Sequence, residues 1–503
     1  MLNEKQLREI VDIGILLTDE KDKIKLLSHI LNETMKISNC DAGTLYLYRN
    51  NALHFTIMRT ISLGVSKGET GEKIDLPPIQ MEENHVCAYA AIHRKMVNIP
   101  DVYHSSIANF AGPKSYDALT GYRTKSMLVI PMESTQGELL GILQLMNAKT
   151  EKGRNRSFNK EDEFMLRSLA SQAAVSISNM MYLAEIKRQM YSFVEAFATL
   201  IDERTPYNGS HTRMVTIYAE IIARYVNRMY AQGVVKEYFD ENRKEQLLLA
   251  AALHDIGKMA IPLEIMNKAT RLGSRMEKIE DRFELLEAYY ELDALHGKIS
   301  KEKKENKIYF LKKSLEFIKQ INNIGYLQPE AIKRIEKIAS MHYTDKKGEK
   351  IAYLTPYEKE CLCIRKGTLT KEERAIMEEH VLMTSKILSK MHFNMHYANV
   401  KTYAETHHEL LNGTGYPKHL KEDELSMESR ILAVCDIFDA LTASDRPYKL
   451  PIPKEKAFLI LYAMADEGKL DKTLIDWLEQ ALQDIDLKEL EDFKMFYVSE
   501  VEE

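Results

Sequence analysis

The sequence predicts an α+β chain of two domains. The N-terminal domain is an antiparallel sheet flanked by helices, and the C-terminal domain is all-α and contains a helical insertion. Three observations support this prediction. The 503 residues are enough for two to four domains. Strand-like runs are confined to residues 1–185, and beyond about residue 190 apolar residues recur at helical intervals of three and four.

The composition fits a folded globular protein, because hydrophobic residues make up 45% and charged residues 29% of the sequence. The longest strongly apolar run, residues 247–253, is far shorter than the run of about 18 residues that a membrane span requires. Five cysteines exclude a disulfide scaffold, and a net charge of -6 argues against a binder of nucleic acid polymers. We expect a cytoplasmic protein without a signal peptide or a membrane span.

The elements of the first domain follow from local patterns. Residues 5–37 carry apolar side chains at helical spacing. Arg49-Asn50-Asn51 separates two strand-like runs and predicts a hairpin. The predicted strands are Thr44–Tyr48, Leu53–Met58, Ser126–Met132 and Leu139–Met146, and a helix follows from about Glu161 to Ile186.

A connecting helix is predicted at residues 186–202. Its apolar residues recur at intervals of three and four, as in a helix that pairs with a second copy in a homodimer. Packing against domains of the same chain is the alternative. No proline- or glycine-rich linker interrupts the segment, which favours rigid transmission.

Residues 273–365 form the predicted helical insertion. They are rich in Glu and Lys, with apolar residues at helical spacing, and they contain no plausible catalytic cluster. The insertion could cap a site, mediate dimerisation or contact a partner.

The strongest chemical signal is His254-Asp255, which closes the apolar run 247–253. We expect Gly257 to end this helix by taking a positive φ. A buried helix end that carries a histidine and an aspartate is costly unless the charge is paired or bound to metal. Imidazole and carboxylate together suit divalent iron, manganese or zinc.

Two further segments carry the same kind of residue. His407 and His408 point about 100° apart on a helix, and the glycine-rich run Gly413–Pro417 follows them. Asp436 and Asp439 lie at i and i+3 of a mostly apolar helix, so they share a face. A buried aspartate there requires a partner, which is either a metal or a cationic side chain.

Residues 1–185 resemble a GAF domain. Val97–Val102 is similar to the segment before the ligand-facing loop of that family, and Asn147–Lys149 with Phe158–Glu163 is similar to a motif of its cyclic-nucleotide-binding members. The lysine is displaced by one position from the family pattern. We expect Lys149 to form an ion pair with an acid near the start of the last helix. The resemblance implies a sensory or dimerising role with an unknown GAF ligand.

The order of His254-Asp255, His407-His408-Glu409 and Gly415-Tyr416-Pro417 resembles the HD-GYP family of HD-domain phosphohydrolases. The implied organisation is a GAF domain at 1–185, the connecting helix at 186–202 and an HD-GYP domain at 203–503. The implied activity is metal-dependent hydrolysis of cyclic di-GMP to linear pGpG, which members of the family often hydrolyse further to GMP. A few members of the family act on cyclic GMP-AMP.

The resemblance also implies the site residues. Two or three divalent metal ions, iron or manganese, are expected. Asp255 would bridge the metals, and Lys258 would act in catalysis and hold a substrate phosphate. Tyr416 would line the substrate pocket, and Arg446 and Lys449 would hold phosphates. The implied metal ligands are Glu203, His211, His254, Asp255, His380, His407, His408 and Asp436.

Departures from the family pattern leave all matched ligands in place. Thr205 stands where many members have Asp, and Ala269 stands where Pro often follows the lysine. The hypotheses are therefore a cyclic di-GMP phosphodiesterase regulated by its GAF domain, a hydrolase of cyclic GMP-AMP, a non-catalytic cyclic-dinucleotide effector, and a hydrolase of another phosphoester.

Overall fold

A computed structural model describes residues 11–15, 20, 22–72, 74–105, 107, 111–204, 210–345, 347–443 and 452–484. The chain divides into two compact units, Met1–Gln189 and Met190–Glu503. Among the described residues, no helix combines the length and the apolar character that a membrane crossing requires.

The first unit is built on one antiparallel sheet. Its strands are β1 (Cys40–Arg49), β2 (Ala52–Thr60), β3 (Val65–Lys67), β4 (Ile79–Gln80), β5 (Val97–Ile99), β6 (Met127–Glu133) and β7 (Leu139–Ala148). Its helices are α1 (Lys23–Ser38), α2 (Val86–His93), α3 (Ala111–Thr120) and α4 (Lys160–Arg204), the last of which continues into the second unit.

The strand order is β3-β2-β1-β7-β6-β5, and β4 pairs with the other end of β2. The predicted hairpin is confirmed, since β1 and β2 pair with Arg49 opposite Ala52. Asn50 and Asn51 form its turn with φ values of 49° and 59°, which is the conformation of a type I′ turn. The strands predicted near residues 126–132 and 139–146 are β6 and β7.

Both faces of the sheet are covered, because nearly every residue of β1 and β7 is buried and successive side chains of a strand point to opposite faces. Leu45 and Leu143 pack against α1 and α4 on one face. Tyr46 and Ile142 face the opposite side, where they pack with Val86 of α2. This two-faced core is the helix–sheet–helix arrangement that the sequence predicts.

The predicted partner of Lys149 is wrong. Lys149 Nζ lies 2.5 Å from Oδ1 of Asp41, not beside an acid at the start of α4. The register places Cys40 opposite Ala148, so the residue that leaves β7 meets the beginning of β1. Asp162, at the start of α4, is paired with Arg156 instead.

The second unit is mostly helical. Its α-helices are α5 (His211–Ala231), α6 (Glu241–Leu253), α7 (Leu263–Met266), α8 (Arg275–Leu295), α9 (Lys301–Asn322), α10 (Pro329–Ala339), α11 (Pro356–Leu362), α12 (Lys371–Leu388), α13 (Val400–Ala404), α14 (Met427–Thr442), α15 (Lys454–Asp466) and α16 (Lys472–Asp484). Short 3₁₀ turns occur at Ile256–Ala260, Met395–Tyr397 and Glu422–Glu424.

The main core of this unit lies between α5, α6 and α14. Ile222, Leu249 and Phe438 are fully buried in it. One face of α4 also joins this core through Val194 and Ile201. Of the predicted metal site, His211, His254, Asp255 and Asp436 lie on or at the ends of α5, α6 and α14.

The insertion has a core of its own, which includes Phe283, Ile318 and Tyr353. The predicted insertion is mostly helical and also contains one antiparallel hairpin, formed by β8 (His342–Thr344) and β9 (Lys350–Ala352), which the sequence did not indicate. Three-residue strands are too short to show a period in the sequence. At the base of the insertion, the Thr368 hydroxyl donates a hydrogen bond to the Lys268 carbonyl at 2.9 Å.

Candidate metal centre

His254 and Asp255 lie at the buried C-terminal end of α6, where each is 1% exposed. The 3₁₀ turn that follows brings the chain against α12. The expected role of Gly257 is wrong, because it has no positive φ. A Cβ at Gly257 would lie 1.9 Å from the His380 carbonyl oxygen, so this position requires glycine for the close approach of two backbones.

His380 is carried by α12, whose N-terminus is held by several interactions. Thr370 and Glu373 form a capping box there. Lys268 Nζ lies 2.7 Å from the Glu373 carboxylate, and both side chains are almost completely buried. The Thr384 hydroxyl donates to the His254 carbonyl at 2.9 Å and accepts from the Gly257 amide at 3.0 Å. These contacts fix the position of His380 relative to His254.

His407 and His408 follow α13 and precede the glycine-rich loop. The Glu409 carboxylate anchors this loop by accepting hydrogen bonds from the amides of Lys418 and Leu420, at 2.6 and 3.0 Å. A Cβ at Gly415 would lie 2.3 Å from the Leu410 nitrogen, so the loop folds back tightly on the histidine segment.

His211 and Asp436 complete the inner wall from α5 and α14. His211 Nε2 lies 3.3 Å from Oδ1 of Asp436 and 3.5 Å from Oδ2 of Asp255. Its other ring nitrogen, Nδ1, lies 2.7 Å from Oδ2 of Asp439. Because a carboxylate accepts, Nδ1 carries the proton and Nε2 faces the site.

Three other histidines are oriented by main-chain carbonyls of their own helices or turns. Carbonyl oxygens only accept, so Nδ1 is the protonated nitrogen in each ring and Nε2 offers its lone pair to the site. The pairs are His254 with Ala251 at 2.7 Å, His380 with Met377 at 2.6 Å, and His407 with Ala404 at 2.7 Å.

The inward-facing atoms converge on Asp255. The distances to Oδ2 are 3.2 Å from His254 Nε2 and 2.5 Å from Lys258 Nζ, and the distances to Oδ1 are 3.4 Å from His380 Nε2 and 3.9 Å from His407 Nε2. Asp255 Oδ1 and these three Nε2 atoms are buried and make no hydrogen bond within the part of the chain that the structure describes. Buried polar atoms without partners are costly unless something else binds them.

The electrostatic environment keeps His380, His407 and His408 neutral, which is the form that binds metal. Burial lowers the pKa of His407 well below its usual range and that of His408 to about 4. Burial also lowers the pKa of His380. Burial by itself would raise the pKa of Asp255, but Lys258 and the histidines hold it well below its usual range.

His211 behaves differently. Burial opposes its charged form, but contacts with Asp255, Asp436 and Asp439 outweigh burial and raise its pKa well above the usual value. A positive charge between these carboxylates is therefore favourable.

Three groups of side chains, drawn from the described residues, place ligand atoms close enough to hold a metal ion. They are His380, His407 and His408; His211, His254 and Asp436; and His254, Asp255 and His407. His254 and His407 are shared between groups, so the groups form one continuous centre. The nitrogen-rich donor set with carboxylates fits a divalent transition-metal ion, and the unpartnered atoms fit such an ion.

The structure brings together seven of the eight predicted ligands and Lys258. Glu203 is exposed and belongs to none of the three groups. The ring of Tyr416 lies 4.8 Å from that of His408, at the edge of the centre. Arg446 and Lys449 lie outside the described residues.

Sequence reasoning missed the groups that orient the ligands. Asp439 stood out as the second carboxylate of an i, i+3 pair, but it was not assigned to His211. No sequence pattern marked Thr384 as functional, because an isolated threonine in a helix is common. The carbonyls of residues 251, 377 and 404 also had none, since every residue has a carbonyl.

Families of known domains match both units. The GAF domain family matches residues 22–177. HD domain families match residues 208–365 and 354–474, which together include the seven converging side chains.

Curated relatives are phosphodiesterases. A cyclic di-GMP phosphodiesterase of Thermotoga maritima is 40% identical over 109 residues, which are 22% of this chain and 28% of that protein. A 3'3'-cGAMP-specific phosphodiesterase 3 of Vibrio cholerae is 39% identical over 95 residues, 19% of this chain and 20% of that protein. The matches thus span less than a third of these relatives.

Among solved structures, the GAF domain of an Acinetobacter phosphoenolpyruvate-protein phosphotransferase is 16% identical, with a TM-score of 0.27. The alignment covers 36% of this chain and 97% of that one. On the family matches, the chain is a GAF domain followed by an HD domain.

Proposed function

We propose that this protein is a metal-dependent phosphodiesterase of the HD-GYP type, which hydrolyses cyclic di-GMP to pGpG and on to GMP. The observation that carries the proposal is the convergence of His211, His254, Asp255, His380, His407, His408 and Asp436, with four unpartnered atoms aimed at one centre. The relative from Thermotoga maritima supports the choice of substrate.

The proposed residues have separate tasks. Two or three divalent metal ions held by these ligands would supply Lewis acidity toward the phosphate and toward water. Hydrolysis breaks the P–O3′ bond, forms a new P–O bond from water and delivers one proton to the leaving oxygen. Lys258, one turn beyond His254, is placed to neutralise a phosphate oxygen or to protonate that leaving group. Tyr416 would line the substrate pocket beside His408.

Cyclic GMP-AMP is the second candidate substrate. The Vibrio cholerae relative that is named for that compound matches nearly as well as the Thermotoga protein. Both compounds carry two phosphodiesters in one ring, so the same centre suits either.

The test is a product assay on the full chain, purified without oxygen and loaded separately with Fe(II) or Mn(II). Cyclic di-GMP and cyclic GMP-AMP are offered side by side, and products are separated by chromatography. We expect turnover of one compound that is lost in Asp255→Ala. The matched control is Asp423→Ala, which removes an exposed carboxylate from a 3₁₀ turn.

No turnover of either compound, with metal bound at stoichiometric levels, would contradict the proposal. Tight binding of a cyclic dinucleotide without cleavage would identify a non-catalytic effector instead.

We further infer that the protein is a homodimer that pairs through α4, with the GAF domain as its regulatory part. Exposed or half-buried apolar side chains recur along α4 at intervals of three and four: Leu183, Ile186, Met190, Phe193, Phe197 and Leu200. This is the seven-residue repeat of a helix pair. The adjoining face of α4 is buried in the core through Val194 and Ile201, and Met190 at the edge of the seam packs partly against that core.

Substitution of two seam positions tests the pairing. Ile186→Glu combined with Phe193→Glu should place two charges in the seam of each helix and convert a dimer to a monomer in light scattering after gel filtration. Glu195→Gln, at an exposed position off the seam, is the control. A wild-type monomer at all concentrations would rule out the pairing.

A further inference from the structure

Helix α8 of the insertion carries apolar residues on two faces. One face is buried in the core of the insertion and includes Phe283 and Leu286. On the opposite face a second set of apolar residues recurs at intervals of three and four: Leu285, Ala288, Leu292 and Leu295. We call these four residues the leucine stripe.

The leucine stripe is open to solvent. Leu285 and Leu292 are 45% and 44% exposed, Leu295 is 82% exposed, and Ala288 between them is exposed as well. The stripe runs along the helix for about 15 Å. A single exposed leucine is ordinary, but a row of them on one helix face marks an interaction surface.

Carboxylates border one edge of the stripe. Glu284 and Glu291 are exposed, and each directly precedes a leucine of the stripe, so both lie along the same edge. Glu277 and Asp281, on the turns before the stripe, are also exposed. The stripe is therefore acidic along one edge and at its N-terminal end.

Other acids of α8 are neutralised within the insertion. Glu280 lies 2.6 Å from Lys319 Nζ and Glu287 lies 2.9 Å from Lys312 Nζ, and both lysines belong to α9. Within the part of the chain that the structure describes, Glu284 and Glu291 form no such ion pair. Their charge is available to a partner.

The other edge of the stripe is formed by Tyr289 and His296. The ring of Tyr289 stacks on that of Tyr343 with 5.0 Å between centroids, and His296 Nδ1 lies 2.8 Å from the Leu292 carbonyl of its own helix. Lys278 is exposed two turns before Leu285, beyond the end of the stripe. The charge of this surface is thus set by its acidic edge.

A second copy of α8 does not supply the complementary charge. In an antiparallel pair of helices the same edges meet, so Glu284 and Glu291 would face the same acids of the other copy. In a parallel pair they would face Tyr289 and His296 of the other copy. Neither arrangement places a lysine or an arginine beside them.

The same charges argue against a membrane surface. Helices that lie in the membrane interface carry lysine and arginine beside their apolar face, because anionic lipids attract these cations. Carboxylates at the edge and at the end of the stripe would be repelled by such lipids.

We propose that the leucine stripe binds one amphipathic α-helix of another protein, whose apolar face is bordered by lysine or arginine. The leucines supply the contact area, as in other recognition of helices by apolar surfaces. Glu284 and Glu291 select the basic edge of the partner and fix its register. Among the roles considered for the insertion, this assigns it contact with a partner, independent of the proposed phosphodiesterase activity.

Two synthetic helices test the proposal on the full chain. The probe is a three-heptad peptide with leucine at positions a and d and lysine at e and g, and its twin carries glutamate in place of lysine. Like charges at e and g keep either peptide from pairing with itself. Binding is measured by fluorescence anisotropy of the labelled peptide.

We expect the basic peptide to bind once per chain, at least about threefold more tightly than its acidic twin at low salt. The difference between the two peptides should shrink at high salt, because the edge carboxylates are exposed and their charges are screened.

Variants locate the binding. Leu292→Ser combined with Leu295→Ser should weaken binding of the basic peptide about tenfold, and Glu284→Lys combined with Glu291→Lys should reverse the preference between the peptides. Leu459→Ser is the matched control, because that leucine is 68% exposed on α15. Circular dichroism of each variant shows whether it is folded.

Three results with the peptides would overturn the proposal: neither peptide binds at millimolar concentration, the leucine variant binds like the wild type, or the charge reversal leaves the preference unchanged. Asp255→Ala should bind the basic peptide normally, which separates this proposal from the proposed enzymatic activity.

Two further measurements distinguish other occupants of the stripe. Self-association of the wild type that is lost in the leucine variant, measured by analytical ultracentrifugation, would identify a second copy instead. Flotation with vesicles of phosphatidylcholine and phosphatidylserine, lost in the same variant, would identify a membrane. Either result would replace the proposed partner.

Discussion

Asp439 orients His211, since its carboxylate accepts the Nδ1 proton at 2.7 Å. Asp439→Asn should weaken metal binding about 10- to 100-fold, because the amide no longer enforces the tautomer that presents Nε2 to the site. Metal titration with a competing chelator measures the affinity, and Asp466→Asn, at an exposed position, is the control. Unchanged affinity would show that His211 is oriented by other means.

Gly257 offers a second prediction for a single residue. Gly257→Ala would place a methyl group 1.9 Å from the His380 carbonyl, so α6 and α12 must separate. We expect a loss of about 2 kcal/mol in the free energy of unfolding, together with weaker metal binding, because His254 and His380 move apart.

Urea unfolding followed by circular dichroism measures this loss. Gly325→Ala is the matched control, because Gly325 has no positive φ and a Cβ there meets nothing within 4 Å. Equal stabilities of the two variants would contradict the close-approach explanation.

At the residue scale, the sequence indicated side chains that the structure brings together, but not the groups that orient them. His254-Asp255 and His407-His408 stand in recognisable motifs, so the seven converging side chains could be named as candidate ligands from the sequence. The carbonyls that orient three of the histidines depend only on helix geometry, which no residue type marks. The role of Gly257 was misjudged because a close approach to Thr384 and His380 is a tertiary contact.

Helix α12 positions His380 through its N-terminal end as well as through its packing. Lys268→Met would leave Glu373 with a buried negative charge and without its cation. We expect a loss of about 3 kcal/mol in the free energy of unfolding, which denaturant titration measures. The added change Glu373→Gln should recover part of that loss.

Lys371→Met, on the exposed side of the first turn of α12, is the control for the loss of a lysine. If the two single variants were equally stable, the ion pair would contribute nothing to the position of this helix.

Elements with a clear period were predicted well, and short ones were not. The β1–β2 hairpin follows from two asparagines between strand-like runs, and α4 follows from a long apolar repeat. The hairpin of β8 and β9 was missed because it has three residues in each strand. Lys149 was assigned the wrong acid because its true partner, Asp41, is brought to it by strand register alone.

On the scale of the whole molecule, the metal centre joins helices that are distant in sequence. His211, His254, His380 and Asp436 come from α5, the end of α6, α12 and α14. A ligand that binds only the folded state stabilises it, by about 2.7 kcal/mol at a concentration one hundred times its dissociation constant. Removal of metal should therefore loosen these four helices together.

Hydrogen exchange measured by mass spectrometry, with and without a chelator, tests this expectation on the full chain. Amides of α5, α6, α12 and α14 should exchange faster after metal removal, whereas those of β1 and β7 in the first unit should not change. Uniform protection in both conditions would show that the centre contributes no stability.

The contact between Lys268 and Thr368 bears on how well the chain tolerates a change in the length of the inserted segment. These residues are 100 positions apart, yet one hydrogen bond joins them. The segment between them therefore leaves and rejoins the HD domain at adjacent positions. The entropy of closing a loop grows only with the logarithm of its length, by about 0.6 kcal/mol for each doubling. The stability of the HD domain should therefore depend only weakly on the length of the segment inserted between Lys268 and Thr368. This junction should therefore tolerate insertions: a different segment could replace residues 273–365 without redesign of the metal centre.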